Sequence, residues 1–237
     1  MSRVTSSFFG EDRMNSPVVV DRANPARAFL KDEAYLQIKG RLLSGAYAPG
    51  SFLSERQLAR DLGMSKTPVK TALERLEGEG YITVSPQQGI LVRELSIREI
   101  VDQYEIRTAL ETFVVKTLAG RLSEAQVDSV RTNLDAYAQL RKRPDVTAAV
   151  SLDATFHTQF IDFLGNQEIA RVFTQLRDRM QRIVTRVFQM SSQRIEGSHN
   201  EHRAIAEAVI NGQGEVAAKL IAAHLERGKQ LILAPRE

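Results

Sequence analysis

The amino-acid sequence predicts a mainly α-helical protein, in which an N-terminal winged helix-turn-helix precedes a C-terminal antiparallel all-α helical bundle. Two short apolar-periodic helices flank a glycine turn within residues 54–79, and two short β-prone runs follow them directly. From Ser96 onward the apolar spacing is helical almost to the end of the chain, and no strand-like alternation competes with it. We therefore predict a first domain over residues 29–95 and a second over residues 96–237.

Composition places the chain among globular proteins. Of its 237 residues, 43% are hydrophobic and 26% are charged, which allows a buried core. The formal net charge of +3 is compatible with a nucleic-acid partner but does not indicate one, because weakly basic enzymes are common. The chain contains no cysteine, which excludes disulfides and thiolate metal sites and fits a reducing compartment.

Two observations predict a cytoplasmic protein without membrane segments. No run approaches the roughly 18 apolar residues of a membrane helix, and charged residues at 11–13 interrupt the place where a signal peptide needs its apolar segment. Residues 1–28 are rich in Ser, Asn, Pro and charge and lack periodicity, which predicts a mobile arm. The four arginines of this arm could touch phosphate, but the pattern favours a solvated tail.

The first domain is predicted to open with three helices. Residues 31–44 carry apolar side chains at helical spacing and are followed by the breaker GAYAPG. A second helix begins at Ser54 as N-cap, and Gly63 follows it in the position of a left-handed C-terminal turn. A third helix begins almost at once at Ser65 and ends at Gly80.

Two β-prone runs complete the first domain. YITVS at 81–85 and ILVREL at 90–95 are joined by PQQG, which predicts a hairpin. A helix, a helix-turn-helix and a hairpin in this order form a winged helix. The third helix carries Pro68 in its first turn, where the missing N–H costs nothing. Its apolar face packs on the small core, so its first turn is left free for a partner.

Basic and hydroxyl side chains gather at that first turn. Lys66 and Lys70 offer charge, and Ser65 and Thr67 offer hydroxyl groups, to the phosphates and base edges of double-stranded DNA. Isolated lysines at such positions would more simply form a solvated helix face. Their location at the N-terminus of the second helix of a helix-turn-helix, with a wing attached, favours DNA binding.

The stretch SERQLARDLGMSKTPVKTALERLEGEGYITVSPQQGILV resembles the DNA-binding domain of the GntR family of bacterial transcription regulators. The run S-x-T-P-V-x-x-A-L and the E-G-Y followed by a glycine wing carry the resemblance. It implies DNA contacts from Arg56, Lys66, Thr67 and Lys70, with Gly89 at the wing tip near the minor groove. The family usually has arginine at both lysine positions, and lysine cannot form arginine's bidentate fork to guanine. We therefore expect either an operator that differs from the usual family sequence or recognition that depends more on Arg56.

Helix boundaries in the second domain follow from caps and breaks. Ser96 with Glu99 and Ser123 with Gln126 form two capping-box signatures, and Pro, Gly and Asn residues supply further breaks. These signals predict an antiparallel bundle. Its six predicted helices span about 97–121, 123–142, 146–164, 167–190, 194–211 and 214–232.

All four histidines of the chain lie in the second domain. Asp153 and His157 stand four residues apart, so both project from one face of a helix. His202 and His224 each lie on an apolar-periodic helix face that we expect to be buried. One carboxylate and three imidazoles suit a divalent transition metal, with zinc favoured and nickel or manganese as alternatives.

Each of these residues also has a simpler interpretation. A lone core histidine is usually a hydrogen-bonded core residue, and Asp153 could cap a helix or pair with an arginine. We interpret His199 as such a core residue or as a surface residue, although it lies one turn before His202. Glu201 is expected to point away from the face that carries His202. The coincidence of three inward histidines in a chain that has few of them favours the metal site.

The second domain is similar to the all-helical ligand domain of the FadR-type branch of the GntR family, often called FCD. The metal set of that domain is an Asp four positions before a His, a His in an E-H-R-A-I-type stretch, and a third His further on. In this chain those positions are Asp153, His157, His202 and His224. The resemblance also implies that Arg107, in the stretch E-I-R-x-A-L-E, faces the pocket as the partner of a carboxylate effector. Six helices favour the VanR-like subgroup.

These features predict a ligand-responsive bacterial transcription regulator, most simply a repressor, that binds palindromic operator DNA as a homodimer and a small organic acid at the metal. The alternative in the enzyme class is a metal-dependent hydrolase fused to a DNA-binding module. No H-E-x-x-H motif or nucleophile elbow is present, which argues against catalysis. A third interpretation is a regulator whose metal is purely structural and that has no effector.

Overall fold

The computed structural model describes residues 25–85, 88–140, 145–191 and 193–234, with side chains from Phe29 onward. The expected mobile arm therefore lies almost wholly outside the described residues. Its last positions are helical, because the first helix, α1, spans Pro25–Leu43 and so begins before the predicted start at residue 31. Proline is favoured at the first position of a helix, since its ring fixes φ and its missing N–H is not needed there.

The first domain is a winged helix-turn-helix, as the sequence predicts. The elements after α1 are β1 Phe52–Leu53, α2 Glu55–Asp61, α3 Lys66–Gly78, β2 Ile82–Ser85 and β3 Gly89–Val92. The three helices accompany a three-stranded antiparallel sheet in the order β1-β3-β2. The short strand β1 was not predicted, and the run predicted at 90–95 forms a strand only as far as Val92.

The turn between α2 and α3 follows the sequence signals. Gly63 has a φ of 63°, in the left-handed region that glycine adopts without a steric penalty. Ser54 and Ser65 occupy the N-cap positions of α2 and α3, although neither side chain makes a capping hydrogen bond. Val69 and Leu76 on the inner face of α3 are fully buried. The helix therefore rests on the core by one face and leaves its first turn at the surface.

The second domain is a helical bundle whose first two helices begin at the predicted caps. The hydroxyl oxygens of Ser96 and Ser123 accept hydrogen bonds from the backbone N–H groups of Glu99 and Gln126, which completes both capping boxes. Among the described residues, none of the helices is both long and apolar enough to span a bilayer. The helices are α4 Ile97–Leu118, α5 Glu124–Gln139, α6 Val146–Leu164, α7 Gln167–Met190, α8 Gln193–Ile210 and α9 Gly214–Leu233.

Helix α7 joins the bundle to the first domain. The Asp178 carboxylate lies 2.6 Å from Lys39 Nζ of α1 and accepts a 3.0 Å hydrogen bond from the Tyr81 hydroxyl. Thr185 Oγ1, two turns further along α7, donates a 3.2 Å hydrogen bond to the carbonyl oxygen of Leu43. Burial alone would lower the pKa of Lys39, but its bond to Asp178 contributes to a net rise. The junction is thus held by charge-assisted hydrogen bonds on one face of α7.

Candidate metal centre and DNA-binding surface

Three helices bring the predicted metal ligands together. Asp153 and His157 lie one turn apart on α6, while α8 supplies His202 and α9 supplies His224. All four side chains are buried, and His202 is not exposed to solvent at all. The spacing of apolar residues on each helix turns these positions inward, as the sequence predicts. The four residues form one group that could hold a metal ion.

The distances within the group suit a common ion. One ligand atom from each of the four residues lies within 4.8 Å of the others. His202 Nε2 is 3.4 Å from His224 Nε2 and 3.6 Å from Asp153 Oδ1, and His157 Nε2 is 4.0 Å from Asp153 Oδ2. Ligand atoms about 2 Å from one ion lie roughly 3 to 4 Å apart. His157 Nε2 is buried and has no hydrogen-bond partner among the described residues, as a nitrogen that faces an ion would be.

Two carboxylates orient the histidines from outside the group. Glu111 Oε2 lies 2.5 Å from His157 Nδ1, and Glu201 Oε2 lies 2.6 Å from His224 Nδ1. A carboxylate at Nδ1 fixes the tautomer in which the Nε2 lone pair points to the metal. Burial would raise the pKa of Glu111, but Arg107 and His157 outweigh it and lower that pKa to about 2. The group therefore has the support that metal-bound histidines usually have.

Neither of these two carboxylates was predicted from the sequence as a partner of the histidines. Glu111 follows Arg107 by four residues, and this spacing could have indicated the pair that the structure contains. Glu201 precedes His202 in sequence yet contacts His224 on α9. No local sequence pattern predicts this contact between two helices. The Glu201 oxygens also accept hydrogen bonds from Arg194 and lie near Arg227, so they serve as anchors rather than as a free general base. The corresponding distances are 2.7 and 2.8 Å to Arg194 and 2.8 Å to Arg227 Nε.

Two of the imidazoles, those of His202 and His224, are favoured in the neutral form that a metal requires. Burial lowers the pKa of His202 well below its usual value, and His224 and His157 act in the same direction. Burial also lowers the pKa of His224, although its hydrogen bond to Glu201 opposes the shift. A neutral imidazole offers a lone pair to an ion without first losing a proton.

Ring packing fixes His202, whose Nδ1 has no hydrogen-bond partner among the residues that the structure describes. Its ring stacks on Phe156 with centroids 3.9 Å apart and planes 6° from parallel, and Tyr137 meets it edge-on at 5.7 Å. His199 is buried beside Tyr137, with ring centroids 5.8 Å apart, and lies outside the four-residue group. Of the two interpretations offered for His199, the core residue fits and the surface residue does not. Asp153 contacts His202 and His157 rather than an arginine.

Arg107 lies beside the group and is buried, with 4% of its surface exposed. Its Nε donates a 2.5 Å hydrogen bond to Glu111 Oε1. It also lines a cavity together with Asp153 and His157, which is the placement that the family resemblance implies. The cavity is small, at about 30 Å³, and α7 lines one side of it with Phe173 and other side chains.

The predicted DNA-contacting side chains are exposed in the first domain. Arg56 is exposed on α2. Lys70 lies within 4.0 Å of the equally exposed Glu74, a contact that solvent weakens. The exposed residues at the start of α3 are Ser65, Lys66, Thr67 and Lys70.

Gly89 has a structural reason to be glycine. It is the first residue of β3, has a φ of 95°, and pairs with Ser85. A Cβ atom at this position would come within 2.9 Å of the Leu53 carbonyl oxygen of β1. Part of the wing tip itself, residues 86–87, lies outside the described residues. The predicted contact of Gly89 with the minor groove therefore stays a prediction.

Comparison with protein families gives two matches that together span most of the chain. Residues 102–227 match the FCD domain, and residues 30–92 match the bacterial regulatory proteins of the gntR family. The first match covers more than half of the chain and contains every residue of the candidate metal centre. The second contains α2, α3 and the three strands.

Similar proteins are transcriptional regulators. The Nta operon transcriptional regulator of Aminobacter aminovorans is 26% identical over 189 residues, which are 79% of this chain and 87% of that protein. The HTH-type transcriptional repressor RspR of Escherichia coli is 24% identical over 211 residues, covering 88% of this chain and 90% of that protein. The E. coli McbR/YncC structure has the same fold, with a TM-score of 0.70 and 22% identity, over 86% of this chain and 96% of its own. The chain belongs to the GntR family of bacterial transcriptional regulators, carries an FCD domain, and is a DNA-binding regulator rather than an enzyme.

Proposed function

We propose that this regulator binds a palindromic operator as a homodimer in the cytoplasm, and that a small organic acid bound at a divalent metal in the bundle changes its affinity for DNA. The observation that carries the proposal is the buried group of Asp153, His157, His202 and His224, with Arg107 on the cavity beside it. Zinc suits three imidazoles and one carboxylate, with nickel or manganese as alternatives. A bound ion would supply open coordination positions for carboxylate oxygens.

The size of the cavity supports a response that moves α7. A water molecule needs on the order of 10–15 Å³ by this measure, so a cavity of about 30 Å³ has room for little more than two waters. An acid with several heavy atoms exceeds this volume, so its binding beside Arg107 would have to displace lining side chains, Phe173 and Met180 of α7 among them. The effector and the α7 side chains therefore compete for the same space. The protein would then have a ligand-free state and a ligand-bound state with different positions of these side chains, as allosteric coupling needs.

The homodimer is supported by an apolar stripe on α4. Ile106 and Phe113 lie seven residues apart on the same side of this helix and are 37% and 53% exposed. Leu110, between them, is partly exposed as well. A stripe of this kind is more stable when a second copy covers it, because apolar surface is then removed from water. A dimer would present two α3 helices to successive major grooves of a palindromic site.

The test of this proposal is a DNA-binding titration in the presence of small mono-, di- and tricarboxylic acids. The operator is selected in vitro from a random duplex library, and the protein is used both metal-loaded and metal-stripped. We expect one acid to change the Kd for the operator by about 5- to 150-fold, the range of a typical coupling free energy, and only in the metal-loaded protein. The matched control is the same acid with metal-stripped protein that still binds DNA.

A second candidate is a regulator in which the metal is structural. The small volume of the cavity, about 30 Å³, favours it, because little space remains for an effector beside the four residues. In that case the metal-loaded and metal-stripped proteins would differ in stability, and no acid in the panel would change DNA affinity in either form. An acid that acts equally on both forms would place the effector away from the metal and contradict the proposal.

We expect Asp178→Asn to uncouple the two domains. The substitution removes the charge that Lys39 and the Tyr81 hydroxyl contact across the junction. Hydrogen bonds to charged groups contribute about 1.5–3 kcal/mol, so the junction should open about 10- to 150-fold more often. The measurement is hydrogen exchange of backbone amides with and without zinc. In the wild type zinc should slow exchange in both domains, and in the variant only in the bundle.

Glu168→Gln is the control for this substitution. Glu168 is exposed in the first turn of α7 and its side chain contacts only Arg171 of the same helix among the described residues. This variant should keep the zinc-dependent protection of α1 and α3. If Asp178→Asn also keeps it, α7 does not transmit the state of the bundle through this contact.

A further inference from the structure

A second cavity lies between the two domains, on the opposite side of α7 from the metal centre. Its volume is about 580 Å³, which is within the range of about 300–1,000 Å³ typical of small-molecule sites. By the same measure the cavity beside the metal is many times smaller. The walls come from the end of α1 and the loop after it, from residues 94–100, from α7 and from the end of α9.

Much of the wall is apolar. Leu43 from α1, Ile183 from α7 and Ile232 and Leu233 from α9 contribute side chains to it. Leu43 and Ile183 are buried and belong to the cores of the two domains. A hydrocarbon or aromatic body of a ligand would be removed from water between them, which is a favourable transfer.

The polar part of the wall carries excess positive charge. Arg182 and Arg186 lie one turn apart on α7 and both line the cavity. Arg182 donates a hydrogen bond to the carbonyl oxygen of Arg93, and neither arginine has a carboxylate within ion-pair distance in the part of the chain that the structure describes. Burial lowers the pKa of Arg182 and nearby Arg93 acts in the same direction, although Tyr81 and Glu99 oppose the shift. Glu94 supplies a lining carboxylate, so two cations face a single anion.

We propose that this cleft is a second ligand site, which takes an organic anion with an apolar body and holds its carboxylate or sulfonate at Arg186 and Arg182. A planar guanidinium pairs with such groups in a bidentate manner. Because both domains line the site, the occupant would bias their relative orientation. This inference does not rest on the metal centre, since no metal ligand lines the cleft.

The test uses decanoate and the fluorescent probe anilinonaphthalene sulfonate on the full chain. Decanoate should bind with one site per chain by calorimetry and displace the probe. Arg186→Ala should weaken both ligands about 10- to 100-fold, as expected for the loss of a charge-assisted hydrogen bond. Ala48→Trp, at an exposed position of the cleft wall, should weaken them by filling the space.

Arg179→Ala is the matched control, because Arg179 is exposed on the same helix and does not line the cleft. It should leave both affinities unchanged, and so should removal of the metal. Equal binding by Arg186→Ala, Ala48→Trp and the control would overturn the site. Loss of decanoate binding on metal removal would do the same, by placing the anion at the metal centre. A wild-type protein that binds neither probe also excludes the proposal.

Discussion

Metal removal should lower the melting temperature of the wild-type protein by about 8–16 °C, and His202→Ala should abolish the response to metal. An ion present at a thousand times its Kd stabilises the folded state by about 4 kcal/mol. For a chain of this length each kcal/mol corresponds to about 2–4 °C. His202 Nε2 lies 3.6 Å from Asp153 Oδ1 and 3.4 Å from His224 Nε2, so the substitution removes one of the four candidate ligands. The measurement is a thermal melt of stripped protein against added zinc.

His199→Ala is the matched control for this substitution. His199 is a buried histidine on the same helix, one turn before His202, and lies outside the ligand group. Its replacement leaves a cavity and should lower the melting temperature with or without zinc, but the shift on adding zinc should persist. A His202→Ala protein that keeps the full zinc shift would show that the four residues are not the binding site. So would a wild-type protein whose melting temperature does not change.

The inward direction of the four candidate metal ligands was predictable because it depends on helix periodicity. Asp153 and His157 share a face by their spacing, and the apolar neighbours of His202 and His224 determine which way those rings point. The carboxylates of Glu111 and Glu201, which lie at Nδ1 of His157 and His224, were not predictable in the same way. Glu201 contacts a histidine on the next helix, so its role depends on how α8 and α9 pack.

In the first domain, too, features with local sequence signals were predictable and features that depend on long-range contacts were not. Local signals, namely the N-cap serines and the glycine turn at Gly63, predicted α2 and α3. Strand β1 has only two residues and exists because Phe52 and Leu53 pair with β3, a long-range contact without a local pattern. The junction through Asp178 belongs to the same class, since its partners Lys39 and Tyr81 lie far away in sequence. Strand β1 and the junction through Asp178 thus depend on tertiary contacts, which local sequence patterns do not predict.

Arg56→Ala should weaken binding to the selected operator about 5- to 150-fold. The family resemblance assigns a DNA contact to Arg56, and its side chain is exposed on α2. One good bidentate contact to a base contributes about 1–3 kcal/mol of discrimination. The matched control is Arg60→Ala, one turn further along α2, which is also exposed and bonds to Gln57. Kd values for both variants come from fluorescence anisotropy on the operator and on unrelated DNA.

Salt dependence then separates a base contact from a phosphate contact. If Arg56 contacts a base, Arg56→Ala loses affinity for the operator but little for unrelated DNA, and the salt slope changes little. If it contacts phosphate, affinity falls on every sequence and the slope of log K against log salt decreases by about one.

Lys66→Arg tests whether the lysine at this position, where the family usually has arginine, changes the base preference, because arginine restores the fork that reads guanine. It should tighten binding to operators with guanine opposite α3, and an unchanged sequence preference would mean that Lys66 contacts only the backbone.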